Sequence, residues 1–366
     1  MPDIVMLADT IRSPELRREL PLALIDPAIY IERDGVRRAW LTGFELERLA
    51  AVSKIEAAGF EQFGLDQLRG SGLSHLDALH RVVIVRACQA AGVTEALVPR
   101  GFPHEAAQAL TAAGIAVQAD GAFFDRRRRA KTPDQVAGIR RAQRACEQAM
   151  EAVRAALHRP GVTSEDLHVA IAKTFIDAGM IPTPAIASHG PQVASVHHAG
   201  SGPILEGESI VVDIFPLDPV SGCYSDMTRT FCIGTPPDEL LRYHGLCAEA
   251  LAGAKAAAGP GVPGSVVFGA AAGVFEAAGL PTLRTKGEHE TLDRGFLHGL
   301  GHGVGLEIHE IPYLHTGEEP LLPGDVITLE PGAYRPRFGG CRLEDIVLIT
   351  DGGCEVLTDY RYDMAP

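Results

Sequence analysis

Three of the chain's fourteen histidines lie in one glycine-rich stretch, residues 296–310, at positions 298, 302 and 309. His302 stands between two glycines, which carry no side chain that could fill volume or bond to its ring. Such a ring fills a protein core poorly, whereas bare backbone on both sides lets it approach a ligand closely. We interpret the stretch as part of a functional site; the alternative is a glycine-rich turn with incidental histidines.

Four acidic residues accompany strand-like, apolar runs in the second half of the chain: Asp213, Asp226, Glu330 and Glu344. Asp213 ends the run 210–212, and Glu330 ends the run 326–329. Carboxylates are rarely buried without a partner, because removing the charge from water costs free energy. The four residues therefore require cations close by.

Arginines alone cannot supply those cations. Arg229 and Arg342 could form salt bridges with two of the carboxylates, but two arginines cannot neutralise four carboxylates and the neighbouring Asp345. Two divalent metal ions would balance the four charges, with His302 as the one imidazole ligand. This oxygen-rich donor set suits Mn²⁺ and tolerates Co²⁺ or Zn²⁺. Two such ions activate a water molecule and polarise a carbonyl, which favours hydrolysis of amide bonds.

The local context of these residues resembles a known family. The similar runs are 224–231, 298–310, 329–334 and 342–345. They resemble the pita-bread metallopeptidases, and the prolidase and aminopeptidase P branch in particular. The resemblance covers roughly residues 130–366. It implies an α+β protein, with a pita-bread catalytic domain of duplicated α-α-β-β halves (residues 129–366) after a small α/β creatinase-type domain (residues 1–128).

The resemblance also implies a role for each site residue. The implied metal ligands are Asp213, Asp226, His302, Glu330 and Glu344, with Asp226 and Glu344 bridging two ions. Glu330 would also be the general base that later protonates the leaving nitrogen, and His309 would stabilise the developing oxyanion. A further catalytic histidine of the family falls on His197 or His198; His197, which follows the apolar Val196, is favoured, and both stay open.

Other implied residues contact the substrate or support the ligands. His298 would line the proline pocket. Arg342 is expected among the substrate-binding residues and, with Thr228, would hold the ligand carboxylates in place.

The implied activity is metal-dependent hydrolysis of the Xaa-Pro bond, at the N-terminus of peptides or in dipeptides. Many prolidases carry an arginine just after the position of His309, where it can hold a dipeptide's carboxylate; here residues 311–314 are Ile-Pro-Tyr-Leu. An aminopeptidase for longer peptides therefore stays open. Two alternatives are a catalytically inactive pita-bread binding protein and a creatinase-like amidinohydrolase that works without metals. The retained ligands argue against both.

The whole chain narrows the choice of partners and location. A net charge of −14 argues against a nucleic-acid or anionic-membrane partner, since phosphate binding needs a basic face. The first ten residues lack the pattern of a signal peptide, and no apolar run is long enough to span a bilayer. Seven cysteines without a CxxC pair fit a reducing compartment. We expect a cytoplasmic homodimer that acts on Xaa-Pro peptides.

The elements that must position these residues repeat at an offset of 100. Pro160-Gly-Val recurs as Pro260-Gly-Val, and alanines, a phenylalanine and a glycine of 170–179 recur in 270–279. Each copy follows a long helical stretch, 132–157 or about 236–258, and precedes β-like sequence. This pattern predicts two similar α-α-β-β halves.

The first third alternates predicted strands and helices. Asp34-Gly35 predicts a hairpin turn between strands at 28–32 and 36–41, with Trp40 in the core. Further elements are expected at 76–91 (helix), 95–98 (strand) and 104–113 (helix).

The boundary between the two expected domains is rich in arginine. We expect Arg126–Arg129 to form a solvated linker, because the chain as a whole is acidic. Thr132, with Pro133 and Gln135, then predicts a capping box at the start of the long helix.

Overall fold

The computed structural model describes residues 3–315 and 317–366. The chain divides into two compact units, residues 1–128 and 129–366. No helix within the described residues has the length and apolar character that crossing a membrane requires.

The first unit is built on a six-stranded sheet. Its strands are β1 Asp3–Ala8, β2 Ala28–Arg33, β3 Val36–Leu41, β4 Glu56–Gly59, β5 Glu95–Val98 and β6 Ala116–Ala119, in the order β4-β3-β2-β1-β5-β6. Its helices are α1 Pro14–Glu19, α2 Leu46–Val52, α3 Leu65–Gly70, α4 His75–Ala78, α5 Ile84–Ala91, α6 His104–Ala112 and α7 Gly121–Arg129. Along β1, Val5 and Leu7 join one apolar cluster and Ile4 and Met6 another, so both faces of the sheet are covered.

The predicted hairpin is confirmed. β2 and β3 pair antiparallel with Arg33 opposite Val36. Asp34 and Gly35 both have positive φ, 50° and 78°, which matches the right-handed twist of the two strands. Trp40 is buried in the core, as expected.

The expectation of a solvated arginine linker is wrong. The four arginines lie in α7, and only Arg126 is exposed. Arg127 donates to Glu19 (2.7 Å) and to Glu32, and Arg129 donates from Nε to Asp325 (2.7 Å). Their acidic partners lie far away in sequence, and overall charge carries no information on such pairs.

The second unit contains four helices and ten strands among the described residues. The helices are α8 Pro133–Leu157, α9 Ser164–Asp177, α10 Asp238–Ala257 and α11 Gly264–Ala277. The strands are β7 Ile186–His189, β8 Ile210–Ile214, β9 Met227–Phe231, β10 Gly301–Gly303, β11 Glu310–Leu314, β12 Val326–Leu329, β13 Gly332–Arg335, β14 Gly339–Arg342, β15 Asp345–Thr350 and β16 Gly353–Val356. They form sheets in the orders β7-β8-β9, β13-β14 and β11-β10-β12-β15-β16.

The duplicated α-α-β-β architecture is confirmed. α9 and α11 have 14 residues each and start 100 positions apart. Gly161 and Gly261 precede them with φ of 71° and 81°, and Gly179 and Gly279 follow with φ of 75° and 77°. Glycine adopts this left-handed backbone without a steric penalty, which explains why it stands at equivalent positions of both halves.

The predicted capping box at the start of α8 is also present. The Thr132 hydroxyl accepts from the Gln135 amide (3.2 Å), and the Gln135 side chain accepts from the Thr132 amide (3.0 Å). These bonds satisfy two backbone donors that the first helical turn leaves unpaired.

Candidate metal centre

Strand pairing brings the predicted ligands together. Asp213 pairs with Thr228 across β8 and β9, and Asp226 lies just before β9. Glu344 separates β14 from β15, and its amide donates to the Thr228 carbonyl (3.1 Å). Glu330 directly follows β12, and its amide donates to the carbonyl of Leu300 (2.7 Å). The two halves of the fold therefore contribute to one site.

His302 occupies the centre of β10, and its flanking glycines have a specific packing role. A Cβ on Gly301 would lie 2.1 Å from the Thr328 carbonyl oxygen, and one on Gly303 would lie 2.4 Å from the Ile311 oxygen. The neighbouring strands β12 and β11 thus approach too closely for any side chain. The sequence suggests that the glycines give a ligand access to the ring, but the structure shows that close strand packing requires them.

The five predicted ligands form one cluster. One oxygen each of Asp213, Asp226 and Glu344 lies within 4.8 Å of the others. The Nε2 atom of His302 lies 3.5 Å from Oε1 of Glu330 and 3.9 Å from Oδ2 of Asp226. Asp226, Glu344 and His302 are buried.

The arginines neutralise little of this charge. Arg342 pairs with Asp213 (2.6 Å). Arg229 pairs instead with Asp345 (3.0 Å), which also contacts Lys255. The Arg229 guanidinium reaches the backbone carbonyl of Glu344 and not its carboxylate. The ion pairs of the described residues therefore give the four carboxylates one partner guanidinium, on Asp213.

Burial and the neighbouring negative charges raise the pKa values of three of the carboxyl groups. Burial, and then the charges of Glu344 and Asp213, hold the pKa of Asp226 well above its ordinary value. Burial and the charge of Glu330 act in the same way on the pKa of Glu344. Burial raises the pKa of Glu330 to about 8, although Arg342 opposes the shift. Each of these carboxylates would be stabilised in its ionised form by a cation.

The imidazole of His302 is prepared to act as a ligand. Burial lowers its pKa to about 4, with a smaller effect from His309, so the ring is neutral near pH 7. Nδ1 lies 3.1 Å from the Gly303 carbonyl oxygen, which places the ring proton there and leaves a lone pair on Nε2. That lone pair faces two carboxylates, an arrangement that is repulsive unless a cation lies between them.

Two buried carboxylate oxygens also indicate a cation in the site. Oδ1 of Asp213 and Oδ1 of Asp226 are buried and have no hydrogen-bond partner in the protein. Buried acceptors without partners are rare, and each calls for an explanation such as an ion. The residues present thus fit a site for divalent cations, with oxygen donors and one nitrogen donor.

Neighbouring side chains hold these carboxylates in place. The Thr228 hydroxyl donates to Glu344 (2.7 Å), and Arg342 donates to Asp213 through one terminal nitrogen. The other terminal nitrogen of Arg342 donates to the Tyr334 hydroxyl (3.1 Å), which also lies 3.0 Å from Nε2 of His298. The sequence gives no role for Tyr334, and its place in the run 329–334 is the one signal that marks it.

A cavity of about 720 Å³ opens beside the cluster. The ligand candidates line it together with four further histidines, His197, His298, His309 and His315. His198 is not among the lining residues, and its Nδ1 accepts from the Gly200 amide (3.0 Å). His309 packs edge-to-face on His302, with 4.3 Å between the ring centroids.

Most other walls of the cavity are apolar. They are formed by Pro184, Ala185, Ile186, Val196, Ala199, Phe215, Leu297 and Ile308, with Tyr313 and His315. Arg342 is the one arginine or lysine among the described lining residues, and it is already paired with Asp213. Burial lowers the pKa of His298 to about 3, so this ring stays neutral.

Comparison with known proteins identifies the class. Residues 137–351 match the model of metallopeptidase family M24, and the chain belongs to that family. It lies in the branch that contains prolidases, Xaa-Pro dipeptidases and aminopeptidase P. Divalent metal ions are characteristic of this family.

Individual relatives agree with this placement. The chain is 34% identical over 209 residues to a probable dipeptidase PepE of Mycobacterium tuberculosis, covering 56% of this chain and 52% of that protein. It is 34% identical over 222 residues to a Xaa-Pro dipeptidase of Pyrococcus furiosus, covering 59% and 60%. The matches thus span little more than half of these relatives. The Pyrococcus horikoshii prolidase structure matches the fold with a TM-score of 0.79 at 22% identity, covering 100% of this chain and 95% of that one.

Proposed function

We propose that this M24 peptidase is a dinuclear metal-dependent hydrolase of the Xaa-Pro peptide bond. The observation that carries the proposal is the position of Nε2 of His302, which lies 3.9 Å from an Asp226 carboxylate oxygen and 3.5 Å from one of Glu330. The proposed ligands are Asp213, Asp226, His302, Glu330 and Glu344, with Mn²⁺ as the best-suited ion and Co²⁺ or Zn²⁺ as alternatives.

The bound ions would polarise the substrate carbonyl and lower the pKa of the attacking water. Glu330 would accept that water's proton and hold it for transfer. The leaving nitrogen of an Xaa-Pro bond would receive it. His309 lies at the cavity wall beside His302 and would donate its ring N–H to the developing oxyanion.

The remaining walls suit a proline. Its ring is apolar and has a fixed φ near −65°, so a preformed apolar pocket can select it. His298, held by Tyr334, and the neighbouring Leu297 would form that pocket. His197 faces the same cavity, which supports it over His198 as the further catalytic histidine.

We further propose that longer peptides are cleaved at least as well as dipeptides. A dipeptide's carboxylate would enter a cavity whose described walls offer it no uncommitted arginine or lysine. Removing a carboxylate from water costs free energy, and a cation or several N–H donors are needed to offset that cost. Tyr313, from the segment after His309, contributes a phenol and no cation to the cavity wall.

One set of assays tests both proposals. Purified protein, stripped of metal and reloaded with Mn²⁺, would be given Ala-Pro, Ala-Pro-Ala and Ala-Ala, and its metal content measured. We expect two metal equivalents, no cleavage of Ala-Ala, and kcat/KM for the tripeptide at least equal to that for Ala-Pro. Equal rates on Ala-Ala and Ala-Pro would refute the proline preference. Cleavage of dipeptides alone would refute the length preference.

The same experiment separates the alternatives. An inactive binding protein would cleave nothing, and a creatinase-like amidinohydrolase would need no metal. A cytoplasmic homodimer stays our proposal for the native state, and sedimentation equilibrium of the purified protein would test the dimer.

A further inference from the structure

A buried ion pair lies beside the cavity without forming part of its wall. The Lys131 and Glu310 side chains are 1% and 2% exposed, and Nζ lies 2.8 Å from Oε2. Burying an ion pair is weak evidence for stability, because desolvation offsets the attraction of the charges. A gain in stability therefore does not explain why this ion pair is buried at this position. Glu310 directly follows His309 in the sequence.

Glu310 is held through both of its carboxylate oxygens. While Oε2 faces Lys131, Oε1 accepts from the Glu307 amide (3.0 Å). This second bond closes the segment 307–310 into a tight turn that contains His309. The Gly305 amide donates to the Glu307 carbonyl (3.0 Å) and supports the turn from its other end.

Lys131 is anchored just as firmly. Its ammonium also donates to the Arg129 carbonyl (2.8 Å), and its backbone amide donates to the Gly324 carbonyl (2.9 Å). A Cβ on Gly305 would lie 2.4 Å from Cε of Lys131 and 2.9 Å from Oε2 of Glu310. The pair thus joins the start of the second unit to the 307–310 turn and fills the space that a side chain at position 305 would need.

The 307–310 turn also shapes the proposed active site. His309 and Ile308 line the cavity, and the His309 ring packs edge-to-face on His302. The backbone carbonyl of Ile308 faces the His302 ring. A shift of the turn would therefore move His309 relative to the reacting groups, and misplacement by about 1 Å can cost roughly 10²-fold in rate.

We propose that Lys131 and Glu310 are positioning residues that fix His309 for catalysis. This inference rests on the proposed function, in which His309 stabilises the oxyanion. Neither residue is among those that line the cavity, so we place their effect in the turn that carries His309.

The test compares Lys131→Met in the wild-type and the His309→Ala backgrounds, with Mn²⁺-loaded protein and Ala-Pro-Ala. We expect Lys131→Met to lower kcat about 10²-fold with a smaller change in KM and unchanged metal stoichiometry. In the His309→Ala background the same substitution should cost little more. An equal loss in both backgrounds would show a general structural role and overturn the proposal, and so would a loss of metal.

Arg154→Met is the matched control. Arg154 is also a buried cation in the second unit, paired with Asp363 (3.0 Å), and it contacts neither the turn nor the cavity lining. Its substitution should lower activity by the same factor in both backgrounds. Glu310→Gln covers the case in which Lys131→Met does not fold, because an amide offers one acceptor and must give up either Lys131 or the Glu307 amide.

A second measurement does not depend on activity. In the metal-free protein, the ring resonances of His309, assigned through His309→Ala, should shift or broaden in Glu310→Gln but not in Arg154→Met. Unchanged resonances would overturn the positioning role. If the wild type cleaves no Xaa-Pro peptide, the proposed function fails, and these resonances still decide whether the pair holds His309.

Discussion

At the scale of single residues, His302 shows most directly what the site requires. Its Nδ1 lies against the Gly303 carbonyl, and its unprotonated Nε2 faces Asp226 and Glu330. Three more groups, the carboxylates of Asp213 and Glu344 and the guanidinium of Arg342, complete the arrangement. A cluster with this excess of negative charge is stable only with cations or with protons, and the two states differ in their chemistry.

We predict that Asp226→Ala and Glu344→Ala abolish activity and remove at least one metal equivalent. One oxygen of each carboxylate lies within 4.8 Å of the other and of Asp213, and each carboxylate is proposed to bridge both ions. Elemental analysis of the purified variants checks this. Two full equivalents of metal in Asp226→Ala would contradict the assignment.

Glu330→Gln separates metal binding from proton transfer. The amide keeps one oxygen donor but cannot accept the proton of the attacking water. General-base catalysis contributes roughly 10²–10⁴-fold, so we expect kcat to fall by that factor while circular dichroism stays unchanged. Wild-type turnover in this variant would place the base elsewhere.

At the scale of elements, the site depends on short strands that lie unusually close. β10 has three residues, and it is squeezed between β11 and β12, which its two glycines make possible. His302 at its centre therefore has little freedom to move. The position of His302 is therefore fixed by the packing of neighbouring backbones and not by any single side chain.

Gly301→Ala should accordingly impair the metal site. The added methyl group would meet the Thr328 carbonyl at 2.1 Å, so β10 must move away from β12 and carry His302 with it. We expect weaker metal binding and a lower melting temperature. Gly273→Ala in α11 is the control: no atom lies within 4 Å of its Cβ, and alanine should stabilise the helix by about 1 kcal/mol. Undiminished metal affinity in Gly301→Ala would contradict this account.

At the scale of the whole molecule, the unfilled cluster links stability to pH. Burial raises the pKa of Glu330 to about 8 and those of Asp226 and Glu344 well above their ordinary values. The folded protein then binds more protons than the unfolded chain. Its stabilisation from these groups is complete below the ordinary carboxyl pKa and is lost as the pH rises through the folded values. His298 and His302, whose pKa values are lowered to about 3 and 4, are neutral in both states above about pH 7.

We therefore expect metal-free protein to lose stability between about pH 7 and 8. Each carboxyl group that stays protonated lowers the free energy of unfolding by about 1.4 kcal/mol per pH unit. Thermal unfolding with and without Mn²⁺ measures this, and Mn²⁺ should abolish the decline because it favours the ionised carboxylates. The Glu330→Gln variant should lose less stability over this pH range, because the contribution of the Glu330 carboxyl group is absent. A metal-free melting temperature that is constant or rises over this range would contradict the prediction.

Local sequence determined a large part of this protein. The hairpin at Asp34-Gly35, the cap at Thr132 and the duplicated halves follow from backbone preferences of nearby residues, which act over a few positions. The family's motifs determined which residues to examine as metal ligands. These properties are visible in a sequence because glycine, proline and caps act on the chain next to them.

Tertiary structure alone decided which charges meet. Arg229 pairs with Asp345 and not with a carboxylate of the proposed site, and three of the four arginines of α7 form ion pairs, namely Arg127, Arg128 and Arg129. His197 and His198 are neighbours in the sequence, yet only His197 lines the cavity. The Lys131–Glu310 pair joins positions 179 residues apart. Such pairs depend on which strands lie side by side, because a Coulomb interaction acts through space and carries no signature along the chain.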